Sequence, residues 1–127
     1  MKEENTYRQT IPSSTTGRYT ALTRKAMRIC YAAHEGQMDK SGVPYVFHPI
    51  HLAEQMETEE EICTALLHDL VEDTKWTLKE LEAEGFPTGV LEAVRLLTRE
   101  KDVPYMAYIE RLSGNQIARK VKLADLE

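Results

Sequence analysis

The stretch ICTALLHDLV, residues 62–71, decides the fold. Apolar side chains occupy nearly every side of a helix drawn through it, and a helix that is apolar all round is buried inside its domain. His68 and Asp69 interrupt this apolar stretch, and Glu72 and Asp73 follow it. A buried charge is costly unless it is paired or binds a metal, so the sequence predicts a polar site on a buried central helix.

Helical geometry brings these polar side chains together. Glu72 lies four residues after His68, and Asp73 lies four after Asp69, so each pair shares a helix face. Three carboxylates and one imidazole crowd within about one turn, and their mutual repulsion favours a bound cation. An adjacent His-Asp pair is a weak signal by itself. The alternative is that His68 and Asp69 pair within the core while the two acids form a solvated helix end.

Working outward, apolar residues recur at helical spacing from Tyr19 to Ala33, and Gly36 is a plausible stop. Ser41-Gly42 and Pro44 predict a loop or short hairpin over residues 37–47. Further helices are predicted over about 48–57, 59–72, 78–84, from Pro87, over 104–112, and at the chain end. We expect an all-α bundle of about six or seven helices over residues 18–127, after a mobile polar arm over residues 1–17.

Capping signals place three of the helix starts. Thr58 with Glu61 and Thr77 with Glu80 have the capping-box form. Ser113 with Gln116 is the candidate cap of the last helix.

Composition narrows the function classes. The 127 residues suffice for one hydrophobic core, and 42% are apolar while 29% are charged. A net charge of −5 gives no general attraction to a long nucleic acid. No apolar run has the length of a membrane span, and no signal pattern opens the chain, so we expect a cytoplasmic protein. Cys30 and Cys63 lack zinc or redox spacing and are predicted to be reduced and buried.

A metal site on the central helix needs ligands from other helices. His48 follows the loop, with Pro49 fixing the start of a helix, and Asp125 lies in the last helix. A mixed imidazole and carboxylate set suits Mn, Fe, Co, Ni or Zn better than Ca or Mg. Such a cation orients a phosphate and makes bound water a nucleophile at neutral pH. Glu72 and Asp73 would then handle protons or hold the water.

Several separated motifs now point to one family. They are GQ at 36–37, DKSG at 39–42, PY at 44–45, HP at 48–49, LLHD at 66–69, VEDT at 71–74 and VKLAD at 121–125. In this order they resemble the HD-domain hydrolases of the RelA/SpoT type, which include small stand-alone alarmone hydrolases. The resemblance covers about residues 20–127 and implies a helical HD domain.

The resemblance also implies a reaction and its residues. The implied ligands of one divalent cation, manganese in this family, are His48, His68, Asp69 and Asp125. Glu72 and Asp73 match the family's catalytic acids, and Lys40 and Tyr45 are the candidate substrate contacts. The implied reaction is attack of water on the 3′-pyrophosphate of (p)ppGpp, the nucleotide of the stringent response, which releases pyrophosphate and GDP or GTP.

Two departures keep other functions open. Asp39 stands where alarmone-specific members tend to carry an arginine against the guanine, and an acid cannot make that cation–π contact. Another nucleotide or dinucleotide is therefore an alternative substrate. The chain ends two residues after Asp125, whereas family members continue, so we expect a domain truncated at its C-terminus. A non-catalytic nucleotide sensor and a helical dimerisation module are the remaining alternatives, and a homodimer is left open.

Three further residues receive secondary roles. His34, at the end of the first helix, is expected to support the site or the fold. His51 lies three residues after His48 and is predicted to be a packed histidine rather than a ligand. Lys122 lies three residues before Asp125 and either pairs with a carboxylate or reaches a phosphate.

Overall fold

The computed structural model describes residues 18–126, so the predicted arm over residues 1–17 and residue 127 lie outside the described residues. The described helices are α1 (Ala21–Ala33), α2 (Phe47–Glu54), α3 (Glu59–Leu67), α4 (Leu70–Asp73), α5 (Leu78–Ala83), α6 (Thr88–Leu97), α7 (Tyr105–Ser113) and α8 (Gln116–Leu126). Residues 18–126 contain no β-strand, which confirms the all-α prediction. Within the same residues no helix is both long and apolar enough to cross a bilayer.

Helix α3 is the centre of the bundle, as the apolar stretch predicts. It packs against α1, α2, α6 and α8. Its residues from Ile62 to Leu67 are all buried. The isoleucine and leucine side chains among them each contribute about 1.5–3 kcal/mol when fully buried. The polar site therefore lies at the end of a helix that is buried among four neighbouring helices.

The predicted helix over residues 59–72 is interrupted at His68 and Asp69. Helix α3 ends at Leu67, and the single turn α4 begins at Leu70. In a continuous helix the carbonyl of Ala65 would accept from the amide of Asp69. That carbonyl instead receives a hydrogen bond of 2.7 Å from Nδ1 of His68. If α3 and α4 are counted as one interrupted helix, the described residues form seven helices, within the six or seven that the sequence predicts.

The hairpin loop, residues 37–45, joins α1 to α2. One antiparallel bridge pairs Met38 with Pro44, and the amide of Tyr45 donates to the carbonyl of Gln37 over 2.8 Å. The predicted hairpin is thus a single bridge, too short to count as strands. The hydrogen bond between Tyr45 and Gln37 brings the Tyr45 ring to the end of α1.

Two of the three predicted helix starts are confirmed. Both capping boxes are present, Thr58 with Glu61 and Thr77 with Glu80. The third prediction is wrong, because α7 continues through Ser113, whose hydroxyl donates to the carbonyl of Glu110. Asn115 caps α8 in its place, accepting from the amide of Ala118 at 2.9 Å. An asparagine side chain is at least as good an N-cap as serine.

The two cysteines are free and buried, as predicted. Burial raises the pKa of each thiol to about 12, so both are protonated and unreactive at neutral pH. The negative charge of Asp69 also contributes to the shift in the pKa of Cys30. Cys30 of α1 is therefore close enough to the polar site to feel the charge of Asp69.

Candidate metal centre

Three side chains from three helices converge on one point. His48 of α2, His68 at the end of α3 and Asp125 of α8 each offer one ligand atom, and these atoms all lie within 4.8 Å of one another. Nε2 of His48 lies 2.7 Å from Oδ1 of Asp125. The sequence places these residues far apart, and the contacts of α3 with α2 and α8 bring them together.

His68 is the most deeply buried member of this group, with 4% of its surface exposed. Because its Nδ1 donates to the Ala65 carbonyl, its Nε2 is the atom left to face the site. This buried Nε2 has no hydrogen-bond partner and lies 3.1 Å from Oδ2 of Asp69. Burial lowers the pKa of His68, but the nearby Asp69 carboxylate outweighs it and raises the pKa overall. A fixed tautomer with a free Nε2 is the usual state of a metal-binding histidine.

Asp69 lies beside the group rather than within it. Its Oδ2 receives a hydrogen bond from the hydroxyl of Tyr45. Burial raises the pKa of Asp69, but His68 and Tyr45 outweigh that effect and lower the pKa to about 2. The carboxylate is therefore ionised at every physiological pH. Tyr45 thus contacts a predicted metal ligand, whereas the sequence singles it out as a substrate contact.

A row of four aromatic rings leads from α1 to the central helix. Ring centroids are 5.0 Å apart from His34 to Tyr45, 5.6 Å from Tyr45 to His48, and 5.8 Å from His48 to His68. His34 is 2% exposed, and its Nδ1 lies 2.9 Å from Oε1 of Gln37. The predicted supporting position of His34 therefore takes the form of a buried ring against Tyr45.

The donor chemistry of this centre fits a divalent transition metal. Two imidazole nitrogens and one carboxylate oxygen already lie within mutual reach, with the Asp69 carboxylate adjacent. Mixed nitrogen and oxygen donors suit Mn, Fe, Co, Ni or Zn. The buried Nε2 of His68 has no hydrogen-bond partner, as suits a metal-binding atom, and the buried Nε2 of His34 and the hydroxyl of Thr64 are likewise unpartnered.

The two predicted catalytic acids lie at the edge of the centre. Both are exposed, and they differ in their surroundings. Partial burial and the charges of Asp69 and Glu72 raise the pKa of Asp73. Oε1 of Glu72 accepts a hydrogen bond of 2.9 Å from the backbone amide of Arg99. The sequence gives no sign of Arg99, because a backbone amide carries no residue-specific signal.

A cavity of about 390 Å³ opens next to His48. It is lined by Asp39, Val43, Pro44, Tyr45, Phe47, His48 and His51. Lys40, a predicted substrate contact, is exposed on the hairpin loop and is not among the lining residues. Asp39 uses its carboxylate inside the loop, where Oδ1 accepts from the amides of Ser41 and Val43 at 2.8 and 3.0 Å.

The structure gives different outcomes for His51 and Lys122, the two remaining residues to which the sequence assigns a secondary role. The His51 side chain is 73% exposed and lies 3.4 Å from Oε1 of Glu54, so the packed histidine predicted here is wrong. Its helix α2 turns it to the cavity mouth, while His48 faces the centre. Lys122 lies with Nζ 3.6 Å from Oδ2 of Asp125, which realises the carboxylate pairing that the sequence offers as one choice.

No family model matches the chain, but individual proteins do. A guanosine-3′,5′-bis(diphosphate) 3′-pyrophosphohydrolase of Haemophilus influenzae is 44% identical over 66 residues, which are 49% of this chain and 10% of that protein. The pyrophosphohydrolase MESH1 of Danio rerio is 37% identical over 120 residues, which are 84% of this chain and 66% of that protein.

A solved structure agrees with these relatives. It is described as a metazoan ortholog of SpoT that hydrolyzes ppGpp, and it matches with a TM-score of 0.71 and 28% identity over 84% of this chain and 67% of that one. The chain belongs to the RelA/SpoT-type family of HD-domain proteins. The bacterial relatives of this family are much longer, since the chain spans about a tenth of their length. The family assignment and the helical HD fold are therefore both confirmed.

Proposed function

We propose that this chain is a metal-dependent hydrolase that removes the 3′-pyrophosphate of (p)ppGpp. The convergence of His48, His68 and Asp125 within 4.8 Å is the observation that carries the proposal. Relatives that are named as guanosine-3′,5′-bis(diphosphate) 3′-pyrophosphohydrolases support the substrate. The products would be pyrophosphate and GDP or GTP.

The cation would be held by His48, His68, Asp69 and Asp125. When bound, it would lower the pKa of water at the site and polarise the phosphoryl oxygens. Asp69 joins this set because its carboxylate is ionised and lies 3.1 Å from Nε2 of His68. Tyr45 fixes the orientation of that carboxylate through its hydroxyl. We assign Mn²⁺ as the metal, in keeping with the family resemblance and the mixed donors.

The two acids at the edge of the centre would manage the water and its proton. Asp73 has a raised pKa, which suits a group that accepts and releases a proton during turnover. The bond from the Arg99 amide holds one oxygen of Glu72, so the other is available to orient the water. We assign Asp73 as the general base and Glu72 as the group that positions the water.

The test is a hydrolysis panel with Mn²⁺-loaded protein, with metal content measured by elemental analysis. We expect pyrophosphate release from ppGpp, and Asp73→Asn to reduce kcat by about 100-fold or more. Asp102→Asn, which alters an exposed acid before α7, is the matched control. Metal-loaded protein that leaves ppGpp intact would exclude the proposed substrate.

One observation favours a second substrate. The cavity beside His48 contains no lysine or arginine, and the carboxylate of Asp39 is engaged within the hairpin loop. The panel therefore includes other nucleotides and dinucleotides with terminal phosphates. Turnover of one of these without turnover of ppGpp would assign the centre to that substrate. Nucleotide binding without any product would favour the sensor alternative. The cytoplasmic location and the homodimer stay predictions.

A further inference from the structure

We propose that Lys122 is the residue that binds a substrate phosphate at the metal centre. The inference rests on the proposed function, because it concerns a phosphate that approaches the cation held by His48, His68 and Asp125. The hairpin motif singles out another cation, Lys40, as a substrate contact. The argument depends on where the two ammonium groups lie.

Lys122 precedes Asp125 by three residues in α8, so the two side chains lie on the same helix face. Its side chain is only 18% exposed, and its Nζ lies 3.6 Å from Oδ2 of Asp125. The same ammonium lies over the ring of Tyr108, 5.4 Å from the centroid. The hydroxyl of Tyr108 donates to the carbonyl of Leu97 at 2.8 Å, which fixes the ring. A positive charge is thus held rigidly beside a predicted metal ligand.

The other cations near this region are placed differently. Lys40 is exposed on the hairpin loop, and neither it nor Lys122 lines the cavity beside His48. The guanidinium of Arg99 lies over the ring of Tyr105 at 5.3 Å, and its Nε donates to the carbonyl of Val103. Arg99 therefore reaches the centre through its backbone amide alone. Among the salt bridges of the described residues, Lys122 is the lysine that pairs with one of the three converging side chains, Asp125.

The pairing between Lys122 and Asp125 leaves the ammonium able to change partner. A separation of 3.6 Å is longer than a charge-assisted hydrogen bond, which spans about 2.7–2.9 Å. If Asp125 held a divalent cation, its carboxylate would be neutralised and the nearby Lys122 ammonium would lose its attractive partner. An anion is the partner that satisfies both positive charges. A phosphate bound to the cation would supply one within reach of Nζ.

The experiment measures binding of guanosine 3′,5′-bisphosphate, and chromatography after each titration checks that its 3′-phosphate ester is intact. Calorimetry is performed on the Mn²⁺-loaded full chain and on Lys122→Met, which keeps the length and the packing of the stem against Tyr108. We expect the affinity to fall about tenfold or more, and Lys122→Arg to retain most of it. Lys79→Met, which replaces an exposed lysine of α5, is the matched control and should change it less than about twofold.

A separate titration of the same variants with Mn²⁺ alone distinguishes the rival role. If Lys122 only positions Asp125, Lys122→Met will lose Mn²⁺ affinity by the same factor as bisphosphate affinity, and the proposal is overturned. Equal bisphosphate affinity in Lys122→Met and the original chain also overturns it. If ppGpp is not hydrolysed but bisphosphate binding still depends on Lys122, the proposed function fails while this inference stands.

Discussion

Nε2 of His48 lies 2.7 Å from Oδ1 of Asp125, although 77 residues separate the two along the chain. The contact joins the first turn of α2 to the last turn of α8 across the end of α3. Without a cation it is an imidazole–carboxylate pair. In the proposed metal-bound state the same two atoms would act as ligands, so the same pair of residues would join α2 to α8 in both states.

Replacing Asp125 should remove metal affinity without unfolding the protein. Asp125→Asn keeps the shape but loses the charge, and we expect Mn²⁺ affinity to fall about 100-fold or more. Asp102→Asn should leave it unchanged. Electron paramagnetic resonance of free Mn²⁺ measures the affinity, and circular dichroism checks helicity. A full complement of metal in Asp125→Asn would contradict the assignment of this ligand.

Tyr45 should act through Asp69 rather than by packing alone. Tyr45→Phe removes the hydroxyl that donates to the carboxylate, and we expect about tenfold weaker Mn²⁺ binding. Tyr108→Phe is the matched control, because it removes a buried hydroxyl bonded to a backbone carbonyl instead. Equal Mn²⁺ affinity in the two variants would mean that the Tyr45 hydroxyl has no part in the metal centre.

The metal-free protein should be most stable in mildly acidic solution. The pKa of His68 is raised in the fold, so its stabilising contribution is complete below the ordinary value of 6.5 and is lost as the pH rises through the raised value. The pKa of Asp69 is lowered to about 2, so its contribution is present above its ordinary 3.8 and disappears as the pH falls towards 2. Melting temperature against pH, measured with a chelator, should show this maximum.

Metal affinity should follow the opposite trend on the alkaline side. Nε2 of His68 must lose its proton before it can bind a cation, so Mn²⁺ affinity should rise as the pH rises through the raised pKa of His68. In Asp69→Asn the pKa of His68 loses its main upward influence, and the affinity profile should shift to lower pH. A pH-independent Mn²⁺ affinity between about 5 and 8 would rule out His68 as a ligand.

The cap of α8 offers a test of stability alone. Asn115→Ala removes the side chain that accepts from the amide of Ala118, and we expect the free energy of unfolding to fall by about 1 kcal/mol. Ser113→Ala, at the position that the sequence favours, should change it by less than about 0.5 kcal/mol. Urea titrations of the two variants measure the difference. The reverse order would restore Ser113 as the cap.

Sequence patterns predicted the features that depend on helix periodicity and residue type. The buried central helix follows from the apolar stretch, and the two threonine capping boxes follow from their spacing. The convergence of His48 and Asp125 on His68 follows from the family motifs but not from helix patterns, since no local rule brings α2 and α8 together.

Other features depend on which of several nearby groups forms a particular hydrogen bond or on the conformation of a loop. Sequence patterns do not predict these. The Nδ1 of His68 takes the carbonyl of Ala65 and interrupts the predicted helix. Helix α7 extends through Ser113, further than predicted. Asn115, two residues later, therefore supplies the N-cap of α8. Lys40 stands in a recognisable motif, yet the turn of its loop leaves it exposed.

The hairpin loop is anchored at its base, where the amide of Tyr45 meets the carbonyl of Gln37 and the Tyr45 hydroxyl meets Asp69. The tip around Ser41 and Gly42 touches neither anchor, and Gly42 adopts a φ of +84° there. An insertion at the tip would cost the hydrogen bonds of Asp39 but leave the register of the base intact, whereas a side chain at Gly42 would strain the turn. Family divergence and protein engineering should therefore find this tip permissive to length changes, whereas a one-residue deletion between Tyr45 and His48 would rotate the imidazole out of reach of its partners.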